Sequence, residues 1–390
     1  MANNFIPFSK PDISELELQA VEKVLRSGWL STGPSVKVFE EEFASFISPT
    51  NKSLRAVSVS SATAGLHLAL EACGIKQGDE IITSTLTFTA TAAAARFLGA
   101  EVKLVDINQE SLNIDVDKIE SVITPKTKAI IPVHYAGLSC DMDQIYEISK
   151  KYDLRVIEDA AHALPTKYKG KMIGNLKSDA TVFSFYANKT MTTGEGGMVL
   201  TNKDEIANRV SIMRSHGISR DAFDRFTSKA PSWYYEVICP GYKYNMNDIS
   251  ASIGISQLKR LPDFLSRRND LATRYIQGLK SLPLVLPKFP SKGNDHAWHL
   301  FVIRLSEETS LTRDEVIDSL SNKGIGTSVH YVPLHMHPYW KSRYELEDSM
   351  FEIANKAYER MISIPLYTAM KNEEQERIIQ ALTEIFHTKD

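Results

Sequence analysis

One lysine stands between an aromatic stretch and a glycine-rich turn, which is an unusual setting for this residue type. Lys189 follows the sequence FSFYAN and precedes TMTTGEGG. Glycines permit positive φ and a close approach of the backbone to a bound group. A lysine that is removed from water loses its proton more readily and can form a Schiff base with a carbonyl compound. The competing interpretation is an ordinary solvated surface lysine, against which these neighbours argue.

A carboxylate stands at the end of an apolar segment. Asp159 follows residues 154–158, whose sequence LRVIE predicts a buried strand. A carboxylate that is partly removed from water needs a partner. A protonated pyridine nitrogen, an arginine or a helix N-terminus would each serve. The competing interpretation is a structural cap for a helix that starts at Ala160.

A run of small residues opens the first predicted helix of the α/β pattern. Ser60-Ser61-Ala62-Thr63 lets backbone N–H groups approach an anion, and the dipole of the following helix favours negative charge there. This pattern indicates a phosphate site. A plain N-cap by Ser61 or Thr63 is the alternative.

The elements around these residues must position them. Strands are predicted over residues 55–60, 80–84, 101–106, 129–133, 154–158, 180–185 and 198–201, and helices over 64–73, 89–98 and 143–152. This alternation predicts an α/β fold with a mainly parallel central sheet flanked by helices. Ligands of such sheets bind beyond the carboxyl ends of the strands, where Thr63, Asp159 and Lys189 all stand.

The pattern changes after the proline-rich stretch 282–290. A strand (299–305), a helix (313–323), a second strand (326–331) and two amphipathic helices (349–361 and 373–386) predict a smaller α+β C-terminal domain. We expect a large domain over residues 1–255 and a small domain over residues 256–390, divided within a long helix near 249–271. The first 30 residues are also candidates to pack on the small domain.

The composition is that of an ordinary globular protein. The 390 residues are 43% hydrophobic and 24% charged, and the formal net charge of −3 gives no reason to expect nucleic acid or an anionic membrane as a partner. The N-terminus does not resemble a secretory signal, and no apolar stretch approaches the roughly 20 residues that span a bilayer. Three widely spaced cysteines predict neither a disulfide framework nor a zinc site, so a cytoplasmic location is the simplest expectation.

Seven short strings together resemble one protein family. They are GWLSTGP (28–34), SSATAGL (60–66), TFTAT (87–91), EDAAHA (158–163), FSFYANKTMTTGEGG (183–197), GYKYNM (241–246) and HYVPLH (330–335). In this order, and over nearly the whole chain, they resemble the DegT/DnrJ/EryC1/StrS family of aminotransferases that act on sugars and depend on pyridoxal 5'-phosphate (PLP). The resemblance implies the fold-type I aminotransferase architecture and a homodimer with active sites at the subunit interface.

The resemblance also implies roles for the residues around the cofactor ring. Lys189 would be the catalytic Schiff-base lysine, and Asp159 would pair with the pyridine nitrogen. Phe88 would stack on the ring, and His162 would lie near the phenolic oxygen, where many relatives have glutamine.

The phosphate of the cofactor would be held by residues from two subunits. The resemblance assigns Ala62, Thr63 and Ser184 to it, together with Lys243 or Asn245 of the partner subunit. Many relatives have asparagine where this chain has Lys243, so both remain candidates.

Three histidines close to one another invite a metal interpretation. His330 and two others, His335 and His337, stand near each other, but prolines at 333 and 338 interrupt any regular element, and no carboxylate or cysteine lies within the cluster. No metal site is therefore predicted. The resemblance places His330 and Tyr331 near the substrate instead.

The implied reaction moves an amino group from L-glutamate to a nucleotide-linked keto sugar, with a 4-keto-6-deoxy hexose as the favoured acceptor. A 3-aminotransferase or a dehydratase of a related nucleotide sugar is the alternative enzyme. Some relatives that act as dehydratases have histidine in place of the lysine, so Lys189 favours transamination. A non-catalytic regulator with the same fold is a third possibility, against which the pair of Asp159 and Lys189 argues.

Overall fold

A seven-stranded sheet lies at the centre of the computed structural model, which describes residues 5–219 and 233–387. Its strands are β1 (Arg55–Val59), β2 (Glu80–Ser84), β3 (Glu101–Val105), β4 (Thr127–Ile131), β5 (Arg155–Asp159), β8 (Ala180–Ser184) and β9 (Gly197–Thr201). Across the sheet they follow the order β1-β9-β8-β5-β4-β2-β3. Two short strands, β6 (Lys167–Tyr168) and β7 (Lys171–Met172), form a separate hairpin.

The sheet is mainly parallel, as the sequence predicts. The β2–β3, β2–β4, β4–β5 and β5–β8 pairs are parallel, whereas β9 runs antiparallel to both β1 and β8. Side chains on successive positions, such as Ile81 and Ile82 or Ile130 and Ile131, are all fully buried. Burial of both faces explains why these strands are apolar throughout rather than alternating.

Helices cover this sheet and connect its strands. They are α1 (Glu15–Ser27), α2 (Pro34–Ile47), α3 (Ala62–Ala72), α4 (Thr89–Phe97), α5 (Met142–Tyr152) and α6 (Asp204–Met213). Ser14 and Glu17 form a capping box at the start of α1, and Asp141 caps α5. Each parallel strand is thus followed by a connection that brings the chain back to begin the next strand in the same direction.

The C-terminal part is built around a long helix and a second sheet. Helix α7 (Asp248–Leu279) is followed by an antiparallel three-stranded sheet of β10 (Leu284–Val285), β11 (Phe301–Leu305) and β12 (Met361–Ile364). Helices α8 (Arg313–Asn322), α9 (Pro338–Tyr344), α10 (Glu352–Arg360) and α11 (Asn372–His387) complete it. Residues near the N-terminus also contact this part of the molecule, because Ile6 forms a single bridge with Ile325.

One predicted strand of this part is wrong, and one observed strand was not predicted. Residues 326–331 do not form a strand, and only single bridges occur at Ile325 and Ser328. The helix predicted over 349–361 ends at Arg360, and the next four residues form strand β12 against β11. The predicted domain boundary between residues 255 and 256 falls inside helix α7 and stays a prediction. In the ranges 5–219 and 233–387, no helix is long and apolar enough to cross a membrane.

Candidate active site

A cavity of about 480 Å³ opens at the carboxyl ends of the parallel strands. Nine of the eleven residues predicted from the sequence line it: Ala62, Thr63, Phe88, Asp159, His162, Ser184, Lys189, His330 and Tyr331. A second cavity, of about 540 Å³, lies against residues 108–117 and 287–304 and contains none of the eleven. The smaller cavity is therefore the candidate active site.

Lys189 reaches this cavity from the turn after strand β8. Its backbone N–H donates to the carbonyl oxygen of Tyr186 at 3.0 Å, which closes the turn. Burial lowers the pKa of the Lys189 amine to about 8, and the negative charge of Asp159 partly opposes this effect. A much larger fraction of this amine than of an ordinary lysine side chain is consequently neutral, and thus nucleophilic, near physiological pH.

Asp159 is the last residue of strand β5 and is buried. Its Oδ2 accepts a hydrogen bond from Thr91 Oγ1 at 2.7 Å, and its Oδ1 accepts one from the N–H of Ala161 at 3.1 Å. Burial raises the pKa of this carboxyl group, whereas these hydrogen bonds and the charge of Lys189 lower it. No helix starts at Ala160, where the chain enters a turn, so the structural-cap interpretation is wrong.

Thr91 is a site residue that sequence reasoning missed. It lies in the first turn of α4, where Thr87 Oγ1 and Thr91 Oγ1 are 2.8 Å apart, so that two buried hydroxyls stand in line with the carboxylate. The string TFTAT contains both threonines, but no local pattern connects it with a carboxylate 68 residues later.

The start of helix α3 faces the same cavity. Ser61 Oγ accepts from the N–H of Ala64 at 3.1 Å, which confirms the N-cap, and the N–H of Gly65 donates to the carbonyl oxygen of Ser61. The N–H groups of Ala62 and Thr63 have no partner within the helix and remain able to bind an anion. The cap and the phosphate site are therefore compatible.

Two histidines and a tyrosine, His162, His330 and Tyr331, also line the cavity, and a third histidine, His299, packs against His162. His162 Nε2 lies 2.9 Å from the hydroxyl of Tyr331, and its ring centroid is 4.3 Å from that of His299. Burial lowers the pKa of His162 and His299 well below the ordinary value and that of His330 to about 4. All three rings are thus neutral at pH 7. The sequence did not indicate His299.

Two histidines of the 330–337 segment have hydrogen-bond partners outside the cavity. His330 Nδ1 lies 2.9 Å from Ser363 Oγ, and His335 is held between Thr85 Oγ1 and Asn355 Oδ1 at 2.7 Å each. Throughout 5–219 and 233–387, no group of three or more His, Cys, Asp or Glu side chains could hold a metal ion.

Two predicted residues do not line the cavity of this chain. Lys243 is exposed, and its backbone bridges to Ser215. Asn245 Nδ2 donates to Thr32 Oγ1 at 2.7 Å, while the Asn245 Oδ1 atom is buried and lacks a hydrogen-bond partner among the described residues. Their predicted contact with a partner subunit's site stays a prediction.

Comparisons with known proteins agree with this geometry. The spore coat polysaccharide biosynthesis protein SpsC of Bacillus subtilis (strain 168) is 45% identical over 390 residues, which is 100% of this chain and 99% of that protein. The PLP-form structure of Spr1654 from Streptococcus pneumoniae has a TM-score of 0.90 and 33% identity, over 98% of this chain and 99% of that one. Helicobacter pylori PseC, an aminotransferase involved in the biosynthesis of pseudoaminic acid, has a TM-score of 0.90 and 29% identity, over 99% and 100%.

These similarities confirm the fold-type I architecture with a mainly parallel sheet and the assignment as a sugar aminotransferase. A family model covers residues 11–383 of the chain. This protein belongs to the DegT/DnrJ/EryC1/StrS aminotransferase family.

Proposed function

We propose that this protein is a PLP-dependent aminotransferase that moves an amino group from L-glutamate to a nucleotide-linked keto-deoxy sugar, with a 4-keto-6-deoxy hexose as the favoured acceptor. One observation carries the proposal: Lys189, with its lowered pKa, and the buried Asp159 share one cavity and interact electrostatically. Membership of this aminotransferase family supports PLP as the cofactor, and so does the similarity to the PLP-form structure of Spr1654. The names of SpsC and PseC support a sugar substrate.

The residues of the cavity fit PLP in size and in chemistry. The volume of about 480 Å³ lies within the range that holds small cofactors. The buried carboxylate of Asp159 lines the cavity and would pair with a protonated ring nitrogen. Asn188 Oδ1 is buried in the cavity wall without a hydrogen-bond partner among the described residues. A buried acceptor without a donor is costly, and a bound group that donates to Asn188 Oδ1 would offset that cost.

Each part of the cofactor would be held by a different element. Ala62 and Thr63 at the start of α3, with Ser184 at the end of β8, would bind the phosphate. Lys243 or Asn245 of the partner subunit would complete that contact in a homodimer.

The face and the polar edge of the ring would meet other side chains. Phe88 is more than half exposed at the cavity, so its ring is free to stack on the cofactor, and His162 would lie near the phenolic oxygen. His330 and Tyr331, which also line the cavity, would contact the substrate.

PLP supplies an electron sink that stabilises negative charge on the carbon next to the amino group. The chain supplies the proton chemistry. The amine of Lys189, with a pKa of about 8, would hold the aldehyde of the cofactor and would also move a proton as general base and acid. Asp159 would keep the ring nitrogen protonated, aided by the hydrogen bond from Thr91.

Incubation of the purified protein with L-glutamate and a panel of nucleotide-linked keto sugars tests this function. We expect 2-oxoglutarate and an amino sugar in equal amounts, with the amine placed at C4 by NMR. Lys189→Ala should abolish both products, and Lys259→Ala, at an exposed helical lysine, serves as the matched control.

Other outcomes correspond to the alternative functions. Amination at C3 would indicate the 3-aminotransferase, and loss of a hydroxyl without 2-oxoglutarate would indicate the dehydratase. A protein that stays colourless with added PLP would indicate a non-catalytic regulator, and normal turnover by Lys189→Ala would refute the mechanism.

The shared active site has its own test. Lys189→Ala and a variant that changes both Lys243 and Asn245 to Ala should each be inactive alone. Mixed dimers should recover activity, because one of the two sites would combine an intact lysine with an intact phosphate contact. Failure of mixed dimers to recover any activity would place the phosphate contacts within one chain.

A further inference from the structure

The two ring nitrogens of His162 have different kinds of partner. Nδ1 accepts a hydrogen bond from the backbone N–H of Ala136 at 3.3 Å, and Nε2 lies 2.9 Å from the hydroxyl of Tyr331. A backbone N–H is always a donor, so Nδ1 must carry the lone pair. Because burial keeps His162 neutral, its single ring hydrogen must be on Nε2.

The backbone donor that selects this tautomer is held in place from several sides. Asn113 Oδ1 accepts from the N–H of Tyr135 at 2.9 Å, and the hydroxyl of Tyr135 donates to the carbonyl oxygen of His330. The carbonyl oxygen of Ala136 accepts from the N–H of Leu300. Segments far apart in the sequence therefore fix where the Ala136 N–H points.

The tautomer of His162 determines the direction of the hydrogen bond to Tyr331. Nε2–H donates to the phenol oxygen, and the phenol hydrogen cannot then point back at Nε2. Burial raises the pKa of Tyr331, so the hydroxyl keeps its hydrogen throughout the physiological range. Tyr331 lines the cavity beside Phe88, with ring centroids 5.8 Å apart. Among the described residues its hydroxyl has no partner other than His162, so this hydrogen can donate to a molecule bound in the cavity.

We propose that Tyr331 is a specificity-determining hydrogen-bond donor to an acceptor oxygen of the keto sugar, and that His162 is the positioning residue that fixes the direction of that donor. The identity of the sugar oxygen rests on the proposed function, whereas the tautomer of His162 does not. The site consequently selects substrates that present a carbonyl or hydroxyl oxygen to Tyr331 and discriminates against analogues that lack it.

The tautomer is tested without any turnover. Nitrogen-15 NMR of the holoenzyme, labelled at the imidazole nitrogens of histidine, distinguishes a protonated from an unprotonated ring nitrogen, and His162→Gln identifies the signals of His162 by their loss. We expect an unprotonated Nδ1 and a protonated Nε2 across neutral pH. A protonated Nδ1, or a doubly protonated ring, would overturn the proposal even if the enzyme aminates sugars as proposed.

The role of Tyr331 is tested by measuring the two half-reactions separately. Tyr331→Phe removes only the hydroxyl, and we expect kcat/KM for the keto sugar to fall about 10-fold, with a smaller fall for the amino donor. Tyr152→Phe, at an exposed tyrosine that contacts Glu120, is the matched control for loss of a phenol hydroxyl. A larger effect on the amino donor, or an altered cofactor absorbance without an effect on the sugar, would place the acceptor oxygen elsewhere and refute the assignment.

The positioning role of His162 is tested by rescue. In His162→Gln the amide oxygen can accept from Ala136 while the amide N–H donates to Tyr331, which preserves the polarity of the pair. His162→Leu preserves neither. We therefore expect the Gln variant to keep most of the sugar half-reaction and the Leu variant to lose about as much as Tyr331→Phe.

Combining the Leu and Phe changes should add little to either alone, because both remove the same oriented donor. A fully additive double variant, or a Leu variant with unchanged kcat/KM for the sugar, would show that His162 does not act through Tyr331. Failure of the wild-type protein to aminate any keto sugar would count against the proposed function and leave the NMR result as the test of the tautomer.

Discussion

Replacement of Lys189 by methionine should stabilise the cofactor-free protein near neutral pH while it abolishes activity. The substitution keeps a long unbranched side chain and removes the ionisable amine. In the folded protein the pKa of Lys189 is about 8, against 10.5 for the free side chain. The folded state therefore disfavours the charged amine, and the native protein carries this cost whenever the amine is protonated.

The size of the effect follows from the pKa difference. One pKa unit corresponds to about 1.36 kcal/mol, so a protonated Lys189 costs the fold about 3 kcal/mol. The amine is partly accessible through the cavity, and water there reduces the cost. We expect Lys189→Met to raise the free energy of unfolding by about 2–3 kcal/mol at pH 7.

The stability difference between Lys189→Met and the wild-type protein should depend on pH in a way that identifies its cause. Below pH 8 the amine is charged in both the folded and the unfolded states, and the full cost is present. Between pH 8 and 10.5 the unfolded state still binds the proton while the folded state has released it, so the wild-type protein gains stability as the pH rises. The difference between wild type and variant should therefore shrink over this window and vanish above it.

Urea unfolding of the cofactor-free proteins, followed by circular dichroism between pH 7 and 10.5, measures this difference. Lys259→Met, in an exposed position on helix α7, controls for the loss of a lysine as such. A Lys189→Met variant that is no more stable than wild type at pH 7, or a gain in stability that does not change with pH, would refute the reasoning.

Three further outcomes are expected. Thr91→Val should lower the free energy of unfolding by about 1–3 kcal/mol, because Asp159 loses a buried donor, and a gain in stability would contradict this. Asp106→Ala should lower the free energy of unfolding by a similar amount, because Asp106 accepts hydrogen bonds from the first backbone amides of helix α10. An unchanged midpoint of thermal or urea unfolding would show that Asp106 does not stabilise this helix as a cap. Burial lowers the pKa values of His296 and His330 to about 3 and 4, so the protein should lose stability as the pH drops below 6.5. Replacing His296 by Phe should reduce that loss in urea titrations. An unchanged dependence of stability on acid pH would argue against burial of His296 as a neutral ring.

Much of the large sheet could be predicted because each strand is encoded by its own residues. Strand β2 is found at the predicted residues, and the other strands predicted for this sheet overlap the observed ones, because apolar runs bounded by polar turns are local signals. Strand β12 was missed for the opposite reason. Its four residues directly follow a helix, and they become a strand by pairing with β11, whose residues lie about 60 positions earlier.

The candidate site divides in the same way. Lys189, Asp159 and the start of α3 could be predicted because parallel strands bring their carboxyl ends to one edge, whatever the details of packing. Thr91, Ala136 and His299 could not, because each acts on a site residue from a distant segment.

The sequence by itself determined the strand-and-helix alternation, the residue types at the strand ends and therefore the kind of chemistry available to this protein. Only the tertiary structure decided the states of those residues: the lowered pKa of Lys189, the hydrogen bonds of Asp159 and the tautomer of His162. The physical reason is the separation in sequence of the groups that determine each property. Secondary structure responds to side chains a few positions apart, whereas desolvation and the direction of a buried hydrogen bond depend on whichever groups folding brings into contact.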